Sequence, residues 1–252
     1  MTVLQQRLAE TREHLCRAAK KAGRSSADIQ LLAVSKTHAA AALRMAFSLG
    51  QHAFGENYLQ EAREKQQALK DLAIEWHFIG PIQSNKTRDI AEHFDWVHSV
   101  DRLKIAQRLS KQRPEALAPL NLCLQINIDN EQSKSGISLS ALDKLVDDIQ
   151  HLPKIRLRGL MAIPAPQKNY AEQLSTFKIV ADRMANYPAM DTLSMGMSGD
   201  MCAAIEAGST IVRVGTGIFG KRQVQGETAG GKTGTIDYNQ KVTHKRSNTT
   251  PH

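Results

Sequence analysis

Short apolar runs bounded by turn residues alternate along this chain with stretches whose apolar residues recur every three or four positions. The first helical stretch covers residues 2–22: Leu4, Leu8, Leu15 and Ala19 share one stripe, Thr2 and Gln5 have capping-box spacing, and Gly23 ends it. The first apolar run, residues 29–35, reads as a strand buried on both faces. Further runs predict strands at 52–55, 74–79, 95–100, 122–128, 157–163, 192–196 and 211–214. Helical spacing predicts helices at 38–49, 57–70, 83–92 and 139–149, one carrying Leu174, Phe177, Ala181 and Met184, and one at 200–207 closed by Gly208. Asp101 sits where the helix after the fourth strand needs an N-cap.

Eight strands alternating with helices within about 220 residues predict an α/β fold, a (β/α)8 TIM barrel preceded by an N-terminal helix. An open doubly wound sheet competes, but such sheets more often stop at about five or six strands. The barrel is expected over residues 1–222. Residues 223–252 are rich in Gly, Thr, Lys and Asn and poor in apolar residues, so a basic, disordered tail is expected there.

Composition narrows the partners. A 41% hydrophobic content suffices for a full core, and the net charge of +8 admits an anionic partner. The cations are dispersed and aromatics are only 5%, which argues against nucleic acid and for a small anionic ligand. Cys16, Cys123 and Cys202 lack ligand spacing, which fits a reduced, cytoplasmic protein without zinc. The polar start is unlike a signal peptide, and no apolar run approaches the roughly 20 residues of a membrane span.

A barrel's chemistry gathers at the carboxyl ends of its strands. Lys36 ends the first strand, an odd place for a charge. Burial there would lower its pKa and make it a nucleophile for carbonyl carbon; the competing reading is the start of a solvated loop. Ser198-Gly199 follows the seventh strand and Gly215-Thr216-Gly217 the eighth, the loops that commonly hold phosphate. Either segment alone reads equally as an N-cap serine or ordinary turns. Both together, with a strand-end lysine across the rim, suggest pyridoxal 5′-phosphate (PLP). Arg213 would then face the pyridine nitrogen, which a donor-only guanidinium keeps unprotonated; a salt bridge in the barrel mouth is its alternative.

These residues resemble a known family. Lys36 in Ala33-Val34-Ser35-Lys36, Phe54–Tyr58, Trp76–Gly80 with Gln83–Lys86, Ser133–Gly136, Arg158–Met161, Ser194–Asp200, and Arg213–Thr216 with Ile218–Gly220 look like the PLP homeostasis proteins. The match runs over about residues 5–222. It implies PLP fold type III, the barrel domain shared with alanine racemase, without the racemase's carboxyl-terminal β domain. It implies the cofactor on Lys36, Arg213 opposite the ring nitrogen, phosphate contacts from Ser198, Gly199, Gly215 and Thr216, and Asn57 beside the cofactor. Cys202 departs from the acidic residue usual at that position, and the chain runs on past the usual end.

Racemisation needs a second positioned base, which in the racemase comes from a partner. Too few residues follow Gly220 for the racemase's second domain. His77 and Tyr58 qualify by type, although alternation alone does not say whether His77 faces the lumen. The resemblance therefore implies a monomeric, non-catalytic carrier that holds PLP as an aldimine, serves vitamin B6 and amino-acid balance, and hands cofactor to apoenzymes. A low-activity racemase and an aldolase-type barrel with its own Schiff-base lysine are the rivals.

Overall fold

The computed structural model of this chain describes residues 1–129 and 135–220. Ser133 and Lys134 of the quoted motifs, and the expected tail at 223–252, lie outside the described residues.

The chain opens with helix α1 (Val3–Lys21). It then runs β1 (Gln30–Val34), α2 (Ala40–Ser48), β2 (Ala53–Glu56), α3 (Leu59–Ala68), β3 (Glu75–Phe78), α4 (Thr87–His93), β4 (Trp96–Val100) and α5 (Leu103–Gln112). The second half runs β5 (Leu120–Ile126), α6 (Leu142–Ile149), β6 (Ile155–Ala162), α7 (Tyr170–Met184), β7 (Thr192–Ser194), α8 (Met201–Glu206), β8 (Ile211–Val214) and α9 (Thr216–Phe219). The eight strands pair in sequence order, all parallel, and β8 returns to β1 with Ala33 beside Val214, closing the barrel.

The main apolar core lies between sheet and helices. Outward-facing Phe54, Val97, Leu122, Leu124 and Val212 meet Leu43 and Ala46 of α2, Ile90 and Ala91 of α4, Ile105 and Leu109 of α5, and Phe177 and Val180 of α7. These helix residues recur at three- and four-residue spacing, so each helix turns one stripe to the sheet. Burying each of the Leu, Ile, Val and Phe side chains among them is worth about 1.5–3 kcal/mol relative to exposure. The α1 stripe behaves likewise: Leu8, Leu15 and Ala19 are buried, and Thr2 Oγ1 accepts the Gln5 N–H at 3.2 Å as the cap. Thr11 of α1 donates to the Gly217 carbonyl at 3.4 Å, which ties this first helix to the loop after β8.

Element ends agree with the sequence expectation to within four residues, and β8 falls at 211–214 as expected. β5 begins at Leu120, β6 at Ile155, and α4 starts at Thr87 after a short 3-10 turn over Ser84–Lys86. Asp101 is not the N-cap of α5. Arg102 holds that position in extended backbone, and Asp101 Oδ1 instead accepts from the Arg102 guanidinium at 2.6 Å. Ser198 is not a helix cap either: Asp200 precedes α8, and its Oδ1 accepts the Met197 N–H.

Candidate functional site

Lys36 lies two residues past the end of β1, half-buried, between buried Ser35 and exposed Thr37. Two side chains of α3, Lys65 and Glu61, bond to the backbone there. Lys65 of α3 donates to the Ser35 carbonyl, to Glu56 Oε1 and to Glu61 Oε1, each at 2.7 Å. Glu61 Oε1 also accepts the Thr37 N–H, and Ser35 Oγ donates to Glu56 at 2.6 Å. The residues flanking Lys36 are thus held from the outer side of the sheet, through a buried ion cluster. Burial pushes the Glu56 carboxyl above its ordinary value, more than Lys65 and Ser35 pull it down.

The β8 end is the neighbour of this point. A Cβ built on Gly215 would lie 3.3 Å from the Val34 carbonyl oxygen, two residues before Lys36. The rings of His38 and Phe219 stack at 4.7 Å and join the same two loops. Lys36 therefore stands beside the β8 loop rather than across the rim from it, because barrel closure makes β1 and β8 adjacent.

The loops after β7 and β8 meet at Gly217. A Cβ there would lie 2.8 Å from Val214 Cγ1 and 3.3 Å from Ser198 Oγ, so any larger residue would force these side chains to shift. Ser198, Gly199 and Thr216 are exposed at the rim, Gly215 is half-buried, and a Cβ on Gly199 would meet nothing within 4 Å. Arg7, Thr11 and His14 of α1 border a cavity of about 160 Å³ with Ser198, Met201 and Gly217. Sequence reasoning missed this contribution of α1, since nothing local marks which loop a surface helix will touch. His14 Nε2 lies 3.2 Å from the Sγ of Cys202, the departing residue.

Arg213 of β8 is 4% exposed. Its Nη1 donates to the carbonyl and, at 2.7 Å, to the Oγ of Ser194, and its Nη2 donates to the Ala162 carbonyl at 2.9 Å. Burial lowers its pKa to about 10, so it remains a cation at neutral pH. These bonds go to two carbonyls and a hydroxyl, while the charge of Asp200 partly offsets the effect of burial.

Asn57 follows β2. Its Oδ1 is buried without a hydrogen-bond partner, an uncommon state for a buried polar atom. It borders a cavity of about 460 Å³ with Ile79, Gln125, Pro164 and Met197, at the carboxyl ends of β2, β3, β5, β6 and β7. The two candidate bases lie elsewhere. Tyr58 is 54% exposed at the start of α3. His77 is fully buried in the lumen, its Nε2 at 2.7 Å from Glu75 and its Nδ1 at 2.8 Å from His98.

Comparison with known proteins shows the family and the fold. The sequence model of the alanine racemase N-terminal domain matches residues 7–223. The pyridoxal phosphate homeostasis protein of Escherichia coli K12 is 54% identical over 222 residues, spanning 85% of this chain and 95% of its own. That of Pseudomonas aeruginosa is 55% identical over 223 residues, spanning 88% and 97%. Among solved structures, PipY of Synechococcus elongatus with PLP bound is similar at a TM-score of 0.75 and 37% identity, covering 86% of this chain and 100% of that one. Alanine racemase of Clostridium difficile, at 15% identity and a TM-score of 0.64, shares the fold. The chain belongs to the pyridoxal phosphate homeostasis protein family, built on the alanine racemase N-terminal domain.

Proposed function

We propose that this chain binds pyridoxal 5′-phosphate at the rim formed by β1, β2, β7 and β8 and serves intracellular PLP balance without turning over a substrate. The observation that carries the reading is the adjacency of the Lys36 segment to the Gly215 loop, with the donor-only Arg213 on the same strand. The residues present fit the cofactor. Asn57 brings a buried, unpartnered acceptor, Gly199 borders open space beside Ser198, and two cations suit a phosphorylated aldehyde.

Pyridoxal phosphate, when bound, supplies an aldehyde that condenses reversibly with a primary amine and a ring that withdraws electrons. Lys36 provides the amine. Ser198, Gly199, Gly215 and Thr216 provide hydroxyl and backbone N–H donors for the phosphate. Arg213 can only donate, so it would hold a ring nitrogen facing it in the unprotonated form. His77 commits both ring nitrogens to Glu75 and His98, and Tyr58 sits exposed at a helix start, so neither serves as a second base. PipY, 37% identical, has been solved with PLP bound, which supports the ligand. The reading extends to a cytoplasmic monomer that passes PLP to apoenzymes; among the described residues no helix is long and apolar enough to cross a membrane.

The test is borohydride reduction of the PLP-loaded protein followed by peptide mapping. The adduct is expected on Lys36 and lost, with the bound-cofactor absorption, in Lys36→Ala. An adduct on another lysine overturns the site. Sustained racemisation of an amino acid that Lys36→Ala abolishes overturns the non-catalytic role.

A further inference from the structure

We propose that Glu75, His77, His98 and Ser194 form a one-way hydrogen-bonded chain through the barrel interior that fixes the Arg213 guanidinium beneath the ligand site. The inference rests on the PLP reading above for its consequence, but not for its geometry.

The chain crosses the lumen. Glu75 and His77 belong to β3, His98 to β4, Ser194 to β7 and Arg213 to β8. Strands β4 and β7 are not neighbours, so the 2.8 Å contact between His98 Nδ1 and Ser194 Oγ spans the inside of the barrel. Every step is of hydrogen-bond length: Glu75 Oε1 to His77 Nε2 2.7 Å, His77 Nδ1 to His98 Nε2 2.8 Å, and Ser194 Oγ to Arg213 Nη1 2.7 Å. His77, His98 and Ser194 have no exposed surface, so each polar atom must find its partner inside.

The two ends dictate direction. A guanidinium has no acceptor, so Ser194 Oγ accepts from Arg213 and turns its own hydrogen toward His98 Nδ1. His98 then carries its proton on Nε2 and donates to His77 Nδ1. His77 likewise carries its proton on Nε2 and donates to the Glu75 carboxylate, which has no donor of its own. These tautomers are assigned from the network, and the assignment leaves no atom of the chain in conflict. The bond from His77 chiefly holds the Glu75 carboxyl below its ordinary value, and burial chiefly drives His98 well below its own, with positive charge at His77 and Arg213 acting in the same direction.

The groups around the chain reinforce its sense. Gln30 of β1 donates to Glu75 at 2.7 Å, Trp96 of β4 stacks on His77 at 5.5 Å, and Arg213 disfavours a charged His98. The Glu75 end borders a cavity of about 430 Å³ near Arg12 and His52, where water can supply its remaining contacts. The chain therefore runs from a solvated carboxylate to a buried guanidinium. With Nη1 held by Ser194 and Nη2 by Ala162, the Arg213 plane has one orientation. His77 and His98 are positioning residues: they act on a ligand only through Arg213.

The decisive measurement is made on the full chain without PLP. Long-range proton–nitrogen correlation spectra of the nitrogen-15-labelled protein at neutral pH report each histidine's tautomer. The chain has nine histidines, and those at 77 and 98 are assigned from His77→Gln and His98→Gln, or by their resistance to solvent exchange if those variants do not fold. Both are expected neutral with the proton on Nε2. A proton on Nδ1 of either, or a cationic form of either, overturns the proposal. A second arm uses PLP. Ser194→Ala is expected to retain PLP about tenfold less tightly and to shift the bound-cofactor absorption band, with Ser194→Thr restoring both. A folded Ser194→Ala protein with the wild-type band and retention overturns the proposal. Failure of the wild-type protein to bind PLP overturns the ligand reading instead, and leaves the tautomer result standing.

Discussion

Thr37 is a β-branched residue at φ 67°, a conformation costing on the order of 1–3 kcal/mol that persists only where its surroundings enforce it. The enforcement is the Lys65 cluster, which grips the Ser35 carbonyl on one side of Lys36 and, through Glu61, the Thr37 N–H on the other. Replacing Lys65 with Met removes all three ammonium bonds and leaves Glu56 buried without its cation. Breaking a buried pair from one side costs about 3–5 kcal/mol, so Lys65→Met should lower the urea midpoint by that equivalent at unchanged m-value. Only half of this arrangement was legible beforehand. Lys36 stands out because a charge ends an apolar run. Lys65 lies in Glu61-Ala62-Arg63-Glu64-Lys65-Gln66, where polar residues on every side give no hint of which one is buried.

At the scale of elements, strand existence was readable because buried runs stop at Gly, Pro or charge, whereas their ends depend on neighbours. Pairing with β6 carries β5 back to Leu120, opposite Ile155, which no local signal specifies. The short α9 carries no sequence signature, yet it and α1 set the shape of the loops after β7 and β8. Gly217 is the test of that shape. Adding a Cβ drives it to 2.8 Å from Val214 Cγ1 and 3.3 Å from Ser198 Oγ, and overpacking of this kind costs about 1–3 kcal/mol. Gly217→Ala should therefore lower the melting temperature of the protein without PLP and separate the two loops, weakening PLP retention by about tenfold. Gly199→Ala, which meets nothing within 4 Å, should leave the melting temperature without PLP unchanged. Equal melting temperatures for both variants would contradict the close approach at Gly217.

For the whole barrel, the sequence conveyed strand number and order, but not what fills the lumen. The interior holds Leu32 and Ile211 on one side and Trp96, Cys123 and Met161 on another, with the line from Glu75 to Arg213 between. Partners 21 and 96 residues apart join only when the eight-strand register turns the same parity of each strand inward, so period-two alternation could not assign His77 a face. That polar axis makes global stability depend on pH in a definite sense. His98 is fully buried, faces His77, Ser194 and Arg213, and is held neutral far below its ordinary value of 6.5, chiefly by burial. Its folded pKa is depressed, so above about 6.5 neither the folded nor the unfolded chain binds the proton and its contribution is constant. Below that value the unfolded chain takes up a proton that the folded chain refuses, and stability falls by about 1.4 kcal/mol per pH unit from this one group. Urea unfolding from pH 7.5 to pH 5.5 (roughly the span in which histidine titrates) should show this contribution level off above about 6.5 and take on that slope below it, with His98→Gln reducing the slope by one proton's worth. An unchanged slope in a folded His98→Gln protein would mean that the imidazole takes up its proton without unfolding the barrel.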